Sequence, residues 1–341
     1  MLRAMCGAMC CATCDVHCTG CPLHLLVGID TEGDNQWDAQ ARLHQRFENI
    51  YALPRLHALF ARHGVRPTYV ITHPVATDPR SADVLRTLRA GGDCEIGAHH
   101  HAWETPPCTA DDIKRHPYAS SLPRAQFDAQ LETLTSAITA AMGEAPVSYR
   151  SGRFGFSADH VGALERCGYL VESSVAPLFY EAHKGGPEFV EAPLKPYFLA
   201  YDSATAAGSS NLLEVPVSAA LNRAIPRALQ YAYARAPKPY TTKRVLRALR
   251  LLRMRWLRPS WSSLDDMIGL AKDLARWNEP VLNLLFHSSE AIVGGSPYNK
   301  TQGELDAFCD RLDRFLAFAV RDLRAAPATF AEFRSAYAPR G

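Results

Sequence analysis

Along most of this chain, short apolar runs alternate with segments patterned like amphipathic helices, and that alternation restricts the fold more than any other property of the sequence. HLLVGID (24–30) is an apolar run ending in an acid; YALPRLHALFARHG (51–64) then spaces its apolar residues at helical intervals and stops at Gly64. PTYVITHP (67–74) reads as a strand, ADVLRTLRAGG (82–92) as a helix closed by Gly91 and Gly92, and CEIGAHH (94–100) as the next strand. The order continues through a helix over 127–143, a strand at PVSYR (146–150), a helix over 160–168 and a strand at YLVESSV (169–175). Near the end, VLNLLF (281–286) is a strand and 303–320 a helix. About seven such units imply a parallel sheet covered on both sides, an open or closed α/β barrel rather than a two-layer fold. At 341 residues, 47% hydrophobic and 21% charged, the chain can bury one such core; no repeat or low-complexity linker divides it.

Polar residues interrupt this pattern at the carboxyl ends of the strands, where barrels gather their chemistry. Asp30 and Glu32 follow the first strand, His99 and His101 the third, Arg150 ends PVSYR, Glu172 and two serines end YLVESS, and His287 follows VLNLLF. In extended chain, side chains two apart share a side, so His99 and His101 point together and His100 points away. Asp30 and Glu32 pair in the same way, with Thr31 opposite. Two neutral imidazoles and a carboxylate form a three-ligand set for zinc or a similar divalent ion, with a position left open for water or substrate. A second carboxylate can take a proton from water, a histidine can give one to a leaving amine, and an arginine beside the base keeps it ionised.

In order, GIDTEGD (28–34), EIGAHHHAW (95–103), YRSGRFG (149–155), ESSV (172–175) and LLFHSSE (284–290) resemble the motifs of the polysaccharide deacetylase, or chitooligosaccharide deacetylase, family. They look closest to its branch linked to lipopolysaccharide biosynthesis, and the resemblance spans about residues 24 to 330. It implies a distorted (β/α) barrel and metal-dependent removal of N-acetyl groups from sugars. Position by position, it implies Asp30 as catalytic base, Glu32 as ligating carboxylate, His99 as the first metal histidine, Arg150 as the arginine orienting the base, and His287 as general acid. Two positions depart from the family pattern: Thr31 separates acids that are usually adjacent, and Trp103 stands four residues after His99 where the second histidine is usual. His101 must therefore substitute as the second ligand, or the site lacks one. Trp103, Arg153 and Glu290 are weaker candidates for substrate contact.

Six of the ten cysteines fall at positions 6, 10, 11, 14, 18 and 21, too compressed for a zinc ribbon, so residues 1–22 read as a disordered tail before a catalytic domain at 23–341. The poor signal character of the first residues and the lack of a long apolar run make the chain read as cytoplasmic. Between Pro216 and Leu264 there are 11 of the 37 basic residues and no acid. Val245, Leu249, Leu252 and Trp256 recur there at helical spacing among arginines, so a basic amphipathic helix is expected within about 222–260. Such a helix suits a solvated surface, peripheral contact with the inner face of an anionic membrane, or a lipid-linked sugar phosphate. It does not suit nucleic acid, because no recognition module accompanies it. The leading expectation is a deacetylase of an N-acetylated glycan or lipopolysaccharide precursor. The alternatives are a hydrolase of another C–N bond in a small metabolite and an inactive glycan-binding relative.

Overall fold

Period-two alternation divides the first strand, β1 (His24–Thr31), between two environments. Leu25, Val27 and Ile29 join the large apolar cluster under the helices, whereas Leu26 joins a smaller cluster enclosed by the sheet. Gly28, Asp30 and Glu32 continue the enclosed row towards the carboxyl end. The computed structural model describes residues 22–109, 111–236 and 251–337; the cysteine-rich stretch 1–21 lies outside them.

The remaining strands are β2 (Thr68–Ile71), β3 (Glu95–His100), β4 (Ser148–Ser151), β5 (Val171–Glu172), β6 (Tyr197–Phe198), β7 (Leu213–Glu214), β8 (Ala219–Leu221), β9 (Met254–Trp256), β10 (Val281–His287) and β11 (Ala326–Pro327). The main sheet runs β10-β1-β2-β3-β4-β5-β7-β6, and β11 pairs with the start of β1. From β10 to β7 every pairing is parallel, and only β6 runs antiparallel to its neighbour. This is a curled, mostly parallel sheet, the distorted (β/α) barrel that the resemblance implies and a form of the open or closed barrel expected from the alternation of elements.

Closure between β7 and β10 uses irregular chain. Ser218 N donates to Asn283 O at 3.2 Å, Leu257 N to Ser218 O at 2.9 Å and Leu285 N to Leu257 O at 3.0 Å. Inside this seam the Asn283 amide donates to Ser173 Oγ at 3.0 Å, Val215 O at 3.0 Å and Pro216 O at 3.1 Å, satisfying acceptors that no strand partner reaches. The amino-terminal end of the barrel is plugged by the helix Phe330–Tyr337, whose Phe330 and Phe333 pack with Leu26, Val171 and Leu213.

The covering helices follow from their apolar spacing. Arg124–Met142 buries Phe127, Leu131, Leu134, Ile138 and Met142 and ends at Gly143, whose φ of +82° suits a residue without Cβ. Ser263 caps Leu264–Arg276, and Thr301 with Glu304 forms a capping box at Gln302–Ala317. Among the described residues no helix is long and apolar enough to cross a membrane.

The expected basic helix is corrected in part. Met254–Trp256 is a strand, not helix, and Arg255 and Arg258 are buried against Asp273 and Glu290 rather than solvated. Helical spacing was misleading there because the apolar residues face two packing partners across an antiparallel ribbon. Residues 237–250, which hold Val245 and Leu249, lie outside the described residues, while Arg227–Arg235 is a helix with no buried residue.

Asn283→Ala is expected to lower the unfolding free energy by about 1–3 kcal/mol, because it leaves the buried Pro216 carbonyl without its donor at the seam. Urea denaturation measures this; an unchanged midpoint would mean that the seam closes without the amide.

Candidate active site

Arg150 lies at the centre of the barrel, wholly buried. Its guanidinium occupies the space beside Gly28, where a Cβ would overlap Nη2 and Nη1. It donates from Nη1 to Asp30 Oδ1 at 2.7 Å, from Nε to Ser173 O at 2.8 Å and from Nη2 to Ser173 Oγ at 3.1 Å. Burial by itself pushes the Asp30 carboxyl up, but the Arg150 charge, then His99 and His287, outweigh it and hold the group down at about 2. Asp30 is therefore ionised throughout the neutral range.

Glu32, His99 and His101 are buried together, with one donor atom from each lying within 4.8 Å of the others. The Glu32 Oε2 is 2.9 Å from His101 Nε2 and 3.9 Å from His99 Nε2, and the two imidazole rings stand at 89° with centroids 4.7 Å apart. His99 Nδ1 donates to Arg150 O at 3.0 Å, which leaves the Nε2 lone pair facing Glu32. Burial lowers both imidazoles, His99 to about 4, so they are neutral donors at physiological pH. The His101 ring lies against Gly152, where a Cβ would overlap it, and its Nδ1 is buried without a hydrogen-bond partner among the described residues. This donor set fits a divalent ion. His100 points the other way, between Tyr149 OH at 3.1 Å and Gln130 Oε1 at 2.8 Å.

His287 completes the group, with Nε2 3.8 Å from Asp30 Oδ2 and 3.9 Å from Glu32 Oε1. Its Nδ1 donates to Glu290 Oε1 at 2.7 Å, and the same oxygen accepts from Arg258 Nη2 at 2.8 Å. Burial alone would lower the imidazole; the hydrogen bond to Glu290 reverses that and raises it. Glu290, also bound by Ser260, is held at about 2, because Arg258 and His287 overcome the effect of burial.

Asp30, Glu32, His99, His101 and His287 line one cleft of about 1170 Å³, Arg150 lies buried behind Asp30, and the three weaker candidates divide. Glu290 is fully buried beneath His287, so it cannot touch a sugar as expected. The Trp103 ring lines the cleft, 4.1 Å from the His101 ring and 4.6 Å from the Arg153 guanidinium. Arg153 lines the cleft. The sequence reading missed Arg258 and Ser260, hidden in a stretch read as a basic surface, and the cleft aromatics Trp37 and Trp261, which are 37% and 46% exposed. The ring contacts of Trp37 with His287 and Tyr298, 4.8 and 5.5 Å between centroids, reveal its place, since nothing in WDAQ signals it.

A barrel with carboxylates, imidazoles and an arginine converging at its strand ends has the plan of a hydrolase. Residues 42–171 match the family described as polysaccharide deacetylase. Among solved structures it is similar to a provisionally named polysaccharide deacetylase from Mycobacterium smegmatis, at 15% identity, TM-score 0.55 and 96% coverage of both chains. It is also similar to a provisionally named glycoside hydrolase/deacetylase from Parabacteroides distasonis, at 13% identity and TM-score 0.60, with 93% of this chain and 71% of that one covered. A 4-alpha-glucanotransferase from Thermococcus litoralis aligns over 94% of this chain and 41% of its own, at 14% identity and TM-score 0.51. At such identities the likeness is one of fold. No curated protein matches the chain.

Gly152→Ala is expected to displace the His101 ring and weaken zinc binding about 10–100-fold, the range seen when the support of a ligand is removed. Titration of the chelator-stripped protein with zinc, alongside circular dichroism to verify folding, measures it; unchanged affinity would remove His101 from the ligand set.

Proposed function

We propose that the protein is a metal-dependent N-deacetylase acting on an N-acetylated sugar of a cell-surface polysaccharide or lipopolysaccharide precursor. What carries this reading is the convergence of an ionised Asp30, a raised His287 3.8 Å away and a three-donor cluster on one cleft. Glu32, His99 and His101 would hold the ion. When bound, a divalent ion, zinc by the nitrogen and oxygen character of the donors, polarises the acetamide carbonyl and acidifies water.

The remaining work falls to the chain. Asp30 accepts a proton from the attacking water, and Arg150 keeps it ionised and oriented. His287, protonated at Nε2, delivers a proton to the departing amine, while Glu290 and Arg258 hold its other face so that Nε2 points at Asp30 and the cleft. Trp37 and Trp261 offer apolar faces for sugar rings. The match of the ordered motifs to the lipopolysaccharide-linked branch supports the precursor. By sequence, the basic residues of 223–250 support a lipid-linked form of it and peripheral contact with an anionic membrane.

Acetate release from N-acetylated oligosaccharides tests the reading. Chelation is expected to abolish it and zinc to restore it, and His287→Ala is expected to lower kcat about 10²–10⁴-fold. Release that survives chelation, or is untouched in His287→Ala, would overturn the assignment.

The pH profile supplies an independent check. A general acid works protonated, so the rate falls as pH rises through the His287 pKa, which lies above its ordinary value. Glu290→Gln removes the group that raises it and leaves Arg258 unpaired beside the ring, so the alkaline limb should move to lower pH.

A further inference from the structure

Five basic side chains other than histidine line the cleft, and their partners differ. Lys184 pairs with Glu181, Arg253 with Asp266 and Arg258 with Glu290. Arg42 and Arg153 form no ion pair among the described residues. Arg42 instead donates to Gln36 O at 2.7 Å, and Arg153 donates to Pro117 O at 3.5 Å and lies over the Trp103 ring at 4.6 Å. The acids whose fields reach them are committed elsewhere: Glu32 to His101, and Glu104 to the Gln45 amide at 2.8 Å.

The groups around these two arginines are also unsatisfied. Gln36 is 6% exposed, yet neither its amide nitrogen nor its amide oxygen has a partner among the described residues; the Trp103 Nε1 donor is likewise buried and unpartnered. Both residues line the cleft. Buried donors seldom stay unpaired in a folded protein unless something else meets them. The backbone adds a second sign. Arg153 and Phe154 both adopt left-handed φ, +54° and +59°, directly after the Gly152 that seats His101. Such conformations are costly at residues with a Cβ and cluster at functional sites.

We infer that Arg42, Arg153, the Trp103 indole N–H and the Gln36 amide form an oxyanion subsite beside the Glu32–His99–His101 cluster, so that the sugar processed there carries a phosphate or a carboxylate. Two guanidiniums and two neutral N–H donors, with no carboxylate in an ion pair with either guanidinium among the described residues, match an oxyanion with several acceptor oxygens and leave a neutral hydroxyl poorly matched. The inference rests on the proposed deacetylase reading for the identity of the substrate as an N-acetylated sugar. It adds the class of group that selects among such sugars.

Isothermal titration of the full-length, chelator-treated protein tests it, with N-acetylglucosamine, its 1-phosphate, its 6-phosphate and glucuronic acid as probes. At least one anionic sugar should bind about tenfold or more tightly than N-acetylglucosamine, with an advantage that shrinks as salt rises. Whether a phosphate or the uronic acid wins identifies the source of the oxyanion. Arg42→Gln and Arg153→Gln should each cut that advantage about fivefold or more. Should Arg153→Gln misfold because of its left-handed backbone, Arg42→Gln and competition by inorganic phosphate decide the matter. Equal binding of neutral and anionic sugars, or an advantage that persists in the variants, would overturn the subsite. The titration reads no acetate, so it can succeed in a protein that is not a deacetylase and fail in one that is.

Discussion

The buried ion pair between Arg150 and Asp30 governs the rest of the molecule. A lone guanidinium or carboxylate at the centre of a barrel would be untenable, and breaking such a pair by removing one partner costs about 3–5 kcal/mol. Its surroundings are arranged for it: Gly28 opens space, Ser173 holds two of the three guanidinium nitrogens, and Phe330 closes the apolar end below, 5.5 Å from the charge. With the arginine fixed, its own carbonyl fixes His99, so the same residue orients both the acid on β1 and the imidazole on β3.

Environment then separates groups that are chemically alike. Asp30 and Glu32 are two residues apart on one strand end, yet the first is held at about 2 and the second is raised, because burial acts on both while Arg150 bonds only to Asp30. The histidines divide similarly: His99 falls to about 4 under burial, whereas His287, gripped by Glu290, rises. Carboxylates and imidazoles with opposed protonation preferences inside one cleft are what acid–base chemistry at neutral pH requires. A cation among Glu32, His99 and His101 would favour the ionised form of Glu32 and the neutral form of the two imidazoles that hold it.

Much of this was legible in the sequence. The strands of HLLVGID, CEIGAHH and VLNLLF, and the helices between them, follow from local periodicity. The opposition of His100 to His99 and His101 follows from the pleat alone. Other features were not legible, for identifiable reasons. YLVESSV contributes only two strand residues, because Ser173 turns its hydroxyl to Val215 O and Ser174 binds Glu172. Arg258 looked like one cation in a basic run, since its carboxylate partner Glu290 lies 32 residues away on another element. Glu290 looked like a substrate contact because its spacing from His287 says nothing about which of the two faces the cleft.

Local order and chemistry therefore belong to the sequence by itself: alternating elements, polar strand ends, and the pairing of side chains two apart, all consequences of the fixed geometry of extended and helical backbone. Long-range folding alone decided that acids at the end of β1 and imidazoles from β3 and β10 share one cleft, with a guanidinium from β4 buried behind Asp30, and which of them are ionised there. The reason is physical. Periodicity is a property of neighbouring residues, whereas burial and the field of a distant charge arise only once the sheet has curled and brought remote strand ends together.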